Sequence, residues 1–420
     1  MNELLNTVWL SLSCTPGSDT FAKLLSKFPT PNDIYNADNK AIASCIGSRC
    51  RDYNSLVDKS TVRANEILTY CKDKDIGILT YFDDNFPESL RLIKNPPVLF
   101  YYRGVLPNFN DEFFVSIVGM RRLTSYGRKY AFTIANDLAR AGATVVSGMA
   151  IGIDGVALGG ALSAGKNTVA VLGSGINVCY PIEHKRLARE IVKNGCVITE
   201  YAPGTPPEKK HFPVRNRIIS ALSKVTLVME GRERSGALIT AQHAKEQGKA
   251  VYAFPGNVGN PGSIASNLLI KNGAKLFTEA DDIVRDFEIA SRGKLNPFKL
   301  AEKAEIDMYS VFRNLEISCV CPEDDIFKAS RSHRKSVLQK RNTEQKIITE
   351  DNKEKERQVS SLFDKSTLAL YKKIPLNSDC SVEDLVDEAH NLRDVMQGIL
   401  KLEIARFVTM LPGDRVKRNL

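Results

Sequence analysis

The sequence predicts an α/β chain: a doubly wound, mostly parallel sheet, with a small helical domain before it and a winged-helix-like domain after it. Three observations predict this. From Phe113 onward, β-branched apolar runs alternate with amphipathic helices for about seven βα units. The runs carry no polar face, the pattern of strands covered by helices on both sides and therefore parallel. The length of 420 residues exceeds what one domain usually holds, so further domains are expected.

Within the core, expected over 105–291, FFVSIVGM is the first buried strand, and YGRKYAFTIANDLARAG is its helix, ending at Gly142. ATVVSGM leads to the helix of VALGGALSAG, NTVAVLGSG to EHKRLAREIVKNG, and CVITEY to PVRNRIISALS. KVTLVME precedes GALITAQHAKEQG, AVYAFPG precedes SIASNLLIKNG, and AKLFTE with ADDIVRDF closes the set. Ligands of such sheets sit beyond the carboxyl ends of the strands, near a reversal in strand order.

Residues 1–104 read as a helical module of the SAM or helix-hairpin-helix kind. Short patterns such as SDTFAKLLSKF and NKAIASCIG lead to a Pro-rich joint at NPPVLFYYRGVLP. Such a module either packs or touches DNA. Over 292–364, high charge without apolar periodicity reads as a flexible linker, a solvated tether with nucleic-acid contact as the other reading. Order returns over 365–420. Ser381 and Asp384 have capping-box spacing, DVMQGILKLEIAR is a second amphipathic helix, and FVTMLPGDRVKR is a hairpin around Pro412-Gly413-Asp414. Helix, turn, helix and hairpin is the order of a winged helix. Arg393, Asp394, Lys401 and Glu403 give its second helix a mixed charge that suits a DNA backbone poorly, which favours a protein-interaction role.

The net charge is +9 and the pI about 9.0, compatible with a polyanionic partner. No signal segment or run of roughly 18 apolar residues stands out, so a cytoplasmic protein is expected. Nine cysteines lack C-x-x-C spacing and read as reduced thiols. No metal site is expected.

Four strand ends carry the loops where chemistry could sit. In VGMRRLTSYG, Gly119 ends a strand before Arg121 and Arg122, and the following helix offers N–H groups to an anion. Arginines pair with phosphate bidentately, although these two could simply face solvent. In SGMAIGIDG, Gly148 allows close backbone approach, and Asp154 either caps the next helix or acts on a substrate. In TVAVLGSGINVCYP, Gly173 and Gly175 imitate a dinucleotide loop. The third glycine is missing and Pro181 delays the helix, so no nucleotide cofactor is expected. In HFPVRNRIISALS, Arg215 and Arg217 lie about 200° apart on a helical wheel, open either to a shared ligand or to separate carboxylates. Ser235 and Gly236 begin another helix with an anion-binding start.

The five histidines are dispersed, and no catalytic residue is assigned; Asp154, Glu200 and Glu230 are the candidate acids. Arginines and N–H-rich turns on one edge, with Tyr126, Tyr180 and Phe212 near, fit single-stranded nucleic acid.

VGMRRLTSYG, VVSGMAIGIDGVALGGAL, VAVLGSGINVCYP, ITEYAPGTPPEKKHFPVRNRIISALS, SGALITAQHAKEQGK and VYAFPGNVGNPGS, in this order, resemble the DNA-processing protein A (DprA, or Smf) family. The resemblance implies an extended Rossmann-like fold that binds single-stranded DNA, forms a homodimer and loads the RecA recombinase during natural transformation. By position it extends the DNA-binding set, Gly119, Arg121, Arg122, Gly148, Gly173, Gly175, Asn216, Ser235 and Gly236, to Lys185, Arg186 and the Arg215-Asn216-Arg217 motif. Met120, Leu158 with Gly159, and Ile182 depart from the family pattern. The fold is also similar to that of nucleotide phosphoribohydrolases, an enzymatic alternative. Their helix carries a catalytic glutamate where this chain has Leu238, Ile239 and Thr240.

Overall fold

The computed structural model describes residues 3–301, 306–319, 356–375, 380–387, 391–411 and 414–419. They fall into two compact units, divided after Asp324.

The first unit opens with six helices: α1 (Glu3–Ser13), α2 (Thr20–Leu25), α3 (Pro31–Asn36), α4 (Asn39–Ile46), α5 (Tyr53–Val57) and α6 (Val62–Asp73). Thr30 and Asp33 cap α3 reciprocally, so the turn specifies its own helix start. A buried carboxylate ties the module together: Asp52 accepts from the Thr15 amide and from the hydroxyls of Thr15, Ser18 and Thr20.

The sheet has nine strands: β1 (Gly77–Thr80), β2 (Leu99–Gly104), β3 (Phe114–Val118), β4 (Thr144–Ser147), β5 (Thr168–Val171), β6 (Gly195–Thr199), β7 (Val225–Val228), β8 (Ala250–Ala253) and β9 (Lys275–Leu276). Their order is β1-β2-β6-β5-β4-β3-β7-β8-β9. β3 to β9 are mutually parallel. β3 to β7 are wholly buried, and their hydroxyls bond within the sheet: Ser116 Oγ to Thr226 Oγ1 at 2.8 Å and Ser147 Oγ to the Ile117 carbonyl at 2.6 Å.

β1 and β2 correct the helical reading of residues 1–104. They pair antiparallel with each other and, through β2, with β6. Leu99 to Tyr101, read as part of a Pro-rich joint, are instead buried in sheet. The prolines stop short of the ladder, where they remove no strand hydrogen bond.

The remaining helices of this unit are α7 (Glu88–Arg91), α8 (Ser125–Arg140), α9 (Ile153–Ser163), α10 (Lys185–Lys193), α11 (His211–Leu222), α12 (Gly236–Glu246), α13 (Ile264–Lys271), α14 (Ala280–Asp286), α15 (Phe298–Ala301) and α16 (Met308–Leu315). Two buried apolar clusters hold them to the sheet, one including α8, α9 and α10 residues and the other α11 and α12 residues.

α16 contradicts part of the linker reading. Leu295, Phe312 and Ile317 are buried, and a Cβ on Gly159 would lie 2.2 Å from Ile317 Cδ1. Gly159 thus makes room for a strap formed by residues 306–319. The strap is latched by His184, whose Nδ1 meets the Met149 carbonyl at 2.9 Å while Nε2 accepts the Ser318 amide at 3.0 Å. Its short apolar pattern was lost among charges. Of the rest of the expected linker, residues 302–305 and 320–355 lie outside the described residues, and residues 356–362 are helical rather than a tether.

The second unit has a helical turn pair over 356–362, α17 (Lys365–Lys373) and α18 (Leu392–Ile404), with β10 (Cys380–Ser381), β11 (Val408–Leu411) and β12 (Arg415–Arg418) ordered β10-β12-β11. Asp384 accepts the Ser381 amide at 3.1 Å, but Glu383–Leu385 form a short 3-10 turn rather than the expected helix. Pro412 and Gly413 of the expected hairpin lie outside the described residues.

Candidate nucleic-acid interface

β3 is the reversal point of the parallel sheet: β4, β5 and β6 extend from one side of it, and β7, β8 and β9 from the other. Their diverging crossovers leave a crevice at the carboxyl ends of β3 and β7. A cleft of about 430 Å³ lies there, lined by the loop after β3, the start of α9, one side of α11 and the start of α12.

The cleft gathers seven of the expected residues: Gly119, Arg121, Arg122, Arg215, Asn216, Ser235 and Gly236. Gly148 and Gly173 stand behind it. A Cβ on Gly148 would come within 2.4 Å of the Arg215 guanidinium and 2.6 Å of the Asp154 carboxylate, and one on Gly173 within 3.0 Å of the Phe212 ring. Both glycines admit a side chain that shapes the cleft.

Arg215 is buried and donates from Nη1 to the carbonyls of Gly148, at 2.9 Å, and Val171. Burial lowers its pKa to about 10, opposed by Asp154, which leaves a cation at neutral pH. Burial likewise raises Asp154, against the pull of Arg215 and of the Ala150 and Gly148 amides. Asp154 therefore neither caps α9, whose N-cap is Gly152, nor stands free as an acid.

Around Arg215 the surface is cationic and aromatic. The Arg121 guanidinium lies 5.6 Å from the Phe212 ring centroid and that of Arg215 lies 6.0 Å away. Tyr180, exposed, sits 5.5 Å from Phe212, centroid to centroid. Opposite, the start of α12 lines the cleft, where the first N–H groups of a helix lack intrahelical partners. Ser235 Oγ has no hydrogen-bond partner among the described residues.

Arg232 and Arg234 also line the cleft and were missed. The signal was present: GRERSG places two arginines after a strand, as VGMRRL does.

Other expected residues lie outside the cleft for identifiable reasons. The start of α8 is not open to an anion, because Thr124 caps it and Glu230 takes the Thr124 amide at 3.0 Å. Arg217 faces the other side of α11, buried, with Nη2 2.6 Å from Glu200. Burial raises the Glu200 carboxyl while Arg217 opposes the shift. Gly175 packs on the 202–205 loop, its amide bonded to the Thr205 carbonyl at 2.9 Å. Lys185 and Arg186 line a different groove. Tyr126 turns away, its hydroxyl 3.1 Å from the Pro255 carbonyl.

The motif residues are thus placed, and residues 77–288 match the family model for DNA recombination-mediator protein A. The chain belongs to this family. Among relatives, DNA processing protein DprA of Bacillus subtilis is 34% identical over 232 residues, 55% of this chain and 78% of that protein. DprA of Streptococcus pneumoniae is 40% identical over 206 residues, 49% of this chain and 72% of that one. The X-ray structure of DprA from Streptococcus pneumoniae superposes with a TM-score of 0.59 at 32% identity, covering 67% of this chain and 97% of its own. The residues matched to the DNA recombination-mediator protein A family, 77–288, include all nine strands of the sheet and α11.

Proposed function

We propose that the cleft binds single-stranded DNA and that the protein acts as a non-enzymatic recombination mediator, protecting the strand and passing it to RecA. The observation that carries this reading is Phe212, a flat face flanked by the Arg121 and Arg215 guanidiniums. An aromatic face takes any base, and arginines follow the backbone. In this reading Gly119, Arg122, Arg232, Arg234, Asn216 and the start of α12 complete the phosphate contacts, with Gly148 and Gly173 as supports.

The strand-end acids favour binding over hydrolysis. Asp154 is held by backbone amides beside Arg215, Glu200 by Arg217, and Glu230 by Thr124. Homodimerisation is best supported at the β9 edge, where Leu276, Leu268 and Ile264 are exposed apolar residues beside an unextended strand. We place the protein in the cytoplasm with its DNA; among the described residues no helix is long and apolar enough to cross a membrane. The test is a gel-shift titration with a single strand: Arg121→Glu should weaken binding at least tenfold, and an unchanged midpoint would overturn the site.

A further inference from the structure

A second groove, of about 900 Å³, adjoins the cleft; its role rests on the cleft binding single-stranded DNA and extends that binding. The two share a border. Met149 lines the groove and Ala150 the cleft, and Met149 is a buried non-glycine residue at φ +55°, a costly conformation. Cys179 lines the groove, and the next residue, Tyr180, meets Phe212 of the cleft. An aromatic step thus joins one to the other.

The groove is built for an anion with an apolar part. Its floor includes Leu172, Ile176 and Val197, and Arg103, Lys185, Arg186 and Arg189 line it. Lys185 and Arg189 are one turn apart on α10, about 6 Å along the axis, on the scale of successive phosphates in an extended strand. Arg103 reaches in from β2. Its Nε is buried without a hydrogen-bond partner among the described residues, and its Nη2 has only a 3.4 Å contact with the Lys74 carbonyl. Lys193 is engaged by Glu190 at 2.8 Å. Glu316 of the strap stands 3.7 Å from Arg186, a carboxylate that a phosphate would have to displace.

We propose that this groove is a second nucleotide subsite. A strand leaving the cleft crosses the Phe212–Tyr180 step, lays a base on the apolar floor and sets its phosphates against Lys185, Arg189 and Arg103. This assigns Lys185 and Arg186 to DNA by a route separate from the cleft, and it adds Arg103 and Arg189, which the sequence did not single out.

The test uses the full chain and fluorescence anisotropy with oligothymidylates of about 6 and about 15 nucleotides, lengths within the range one binding fold covers. Arg103→Ala/Arg189→Ala should bind the short oligomer as the unaltered protein does, bind the long one roughly tenfold more weakly, and lose about 1.4 from the salt slope, at about 0.7 per phosphate contact. Unchanged affinity and slope on the long oligomer would overturn the groove; so would equal weakening on both lengths in a variant whose melting temperature is retained. Arg121→Glu separates the two readings. If it leaves the short oligomer's affinity intact, the cleft fails; if it weakens that affinity while the double variant changes nothing, only the groove fails.

Discussion

Arg215 and Arg217 stand two residues apart on α11 and do opposite work. Arg215 faces the cleft, donates to backbone carbonyls and leaves its charge beside Phe212. Arg217 faces the interior, where Glu200 neutralises it, both side chains 5% exposed. An Arg-Asn-Arg motif looks in sequence like one cationic patch. In three dimensions it is a cleft-lining group and a packing group back to back, and the comparison shows that helical phase decides which arginines face the cleft.

The largest effect that would break this comparison is on stability. Arg217→Ala strands the buried Glu200 carboxylate and should cost about 3–5 kcal/mol in urea unfolding. Arg217→Met with Glu200→Leu should recover most of it, because both desolvated charges are then gone. A small loss in the single variant would mean that the pair is not what holds α11 to its neighbours.

On the other side of the helix, Phe212→Ala should weaken single-strand binding by about 1–3 kcal/mol, the contribution of one stacked base, with a urea midpoint close to that of the unaltered protein. A variant that loses stability but not affinity would reverse the assignment of the two faces. Arg232→Ala and Arg234→Ala should each act more weakly, lowering the salt slope by about 0.7 in the same titration.

The smallest expected effect is on pH dependence. Burial lowers the His184 pKa, and the neutral ring, donating from Nδ1 and accepting at Nε2, is the form that latches the strap. The unfolded chain, whose histidine titrates near about 6.5, takes up a proton in a range where the native protein does not. Stability is therefore fully present above that value and declines as pH falls through it toward the lower native pKa. His184→Gln should flatten that part of the curve in thermal melts between pH 5 and 8.

The sequence made the parallel core legible for a plain reason. Strands buried on both faces must be continuous apolar runs, and β3 to β7 are such runs. β1 and β2 escaped because they join the sheet antiparallel at its edge, and β2 follows two prolines that read as a joint. The strap escaped because Phe312 and Ile317 are only two anchors in a charged stretch. Of the site, residues at strand ends were readable, since topology fixes where strand ends meet. Arg217, Lys185 and Arg186 lie outside the cleft, which spacing alone could not show, because it does not say which side of a helix or loop faces which groove.

The central claim, that the crevice beside β3 holds a single strand, is tested most directly by photo-crosslinking the full chain to a single strand carrying a photoreactive base, with peptide mapping of the products. Crosslinks are expected on the peptides containing Phe212 and Tyr180, lost on competition with unlabelled single strand. Crosslinks confined to the unit after Asp324, or to helices α1 to α6, would contradict it.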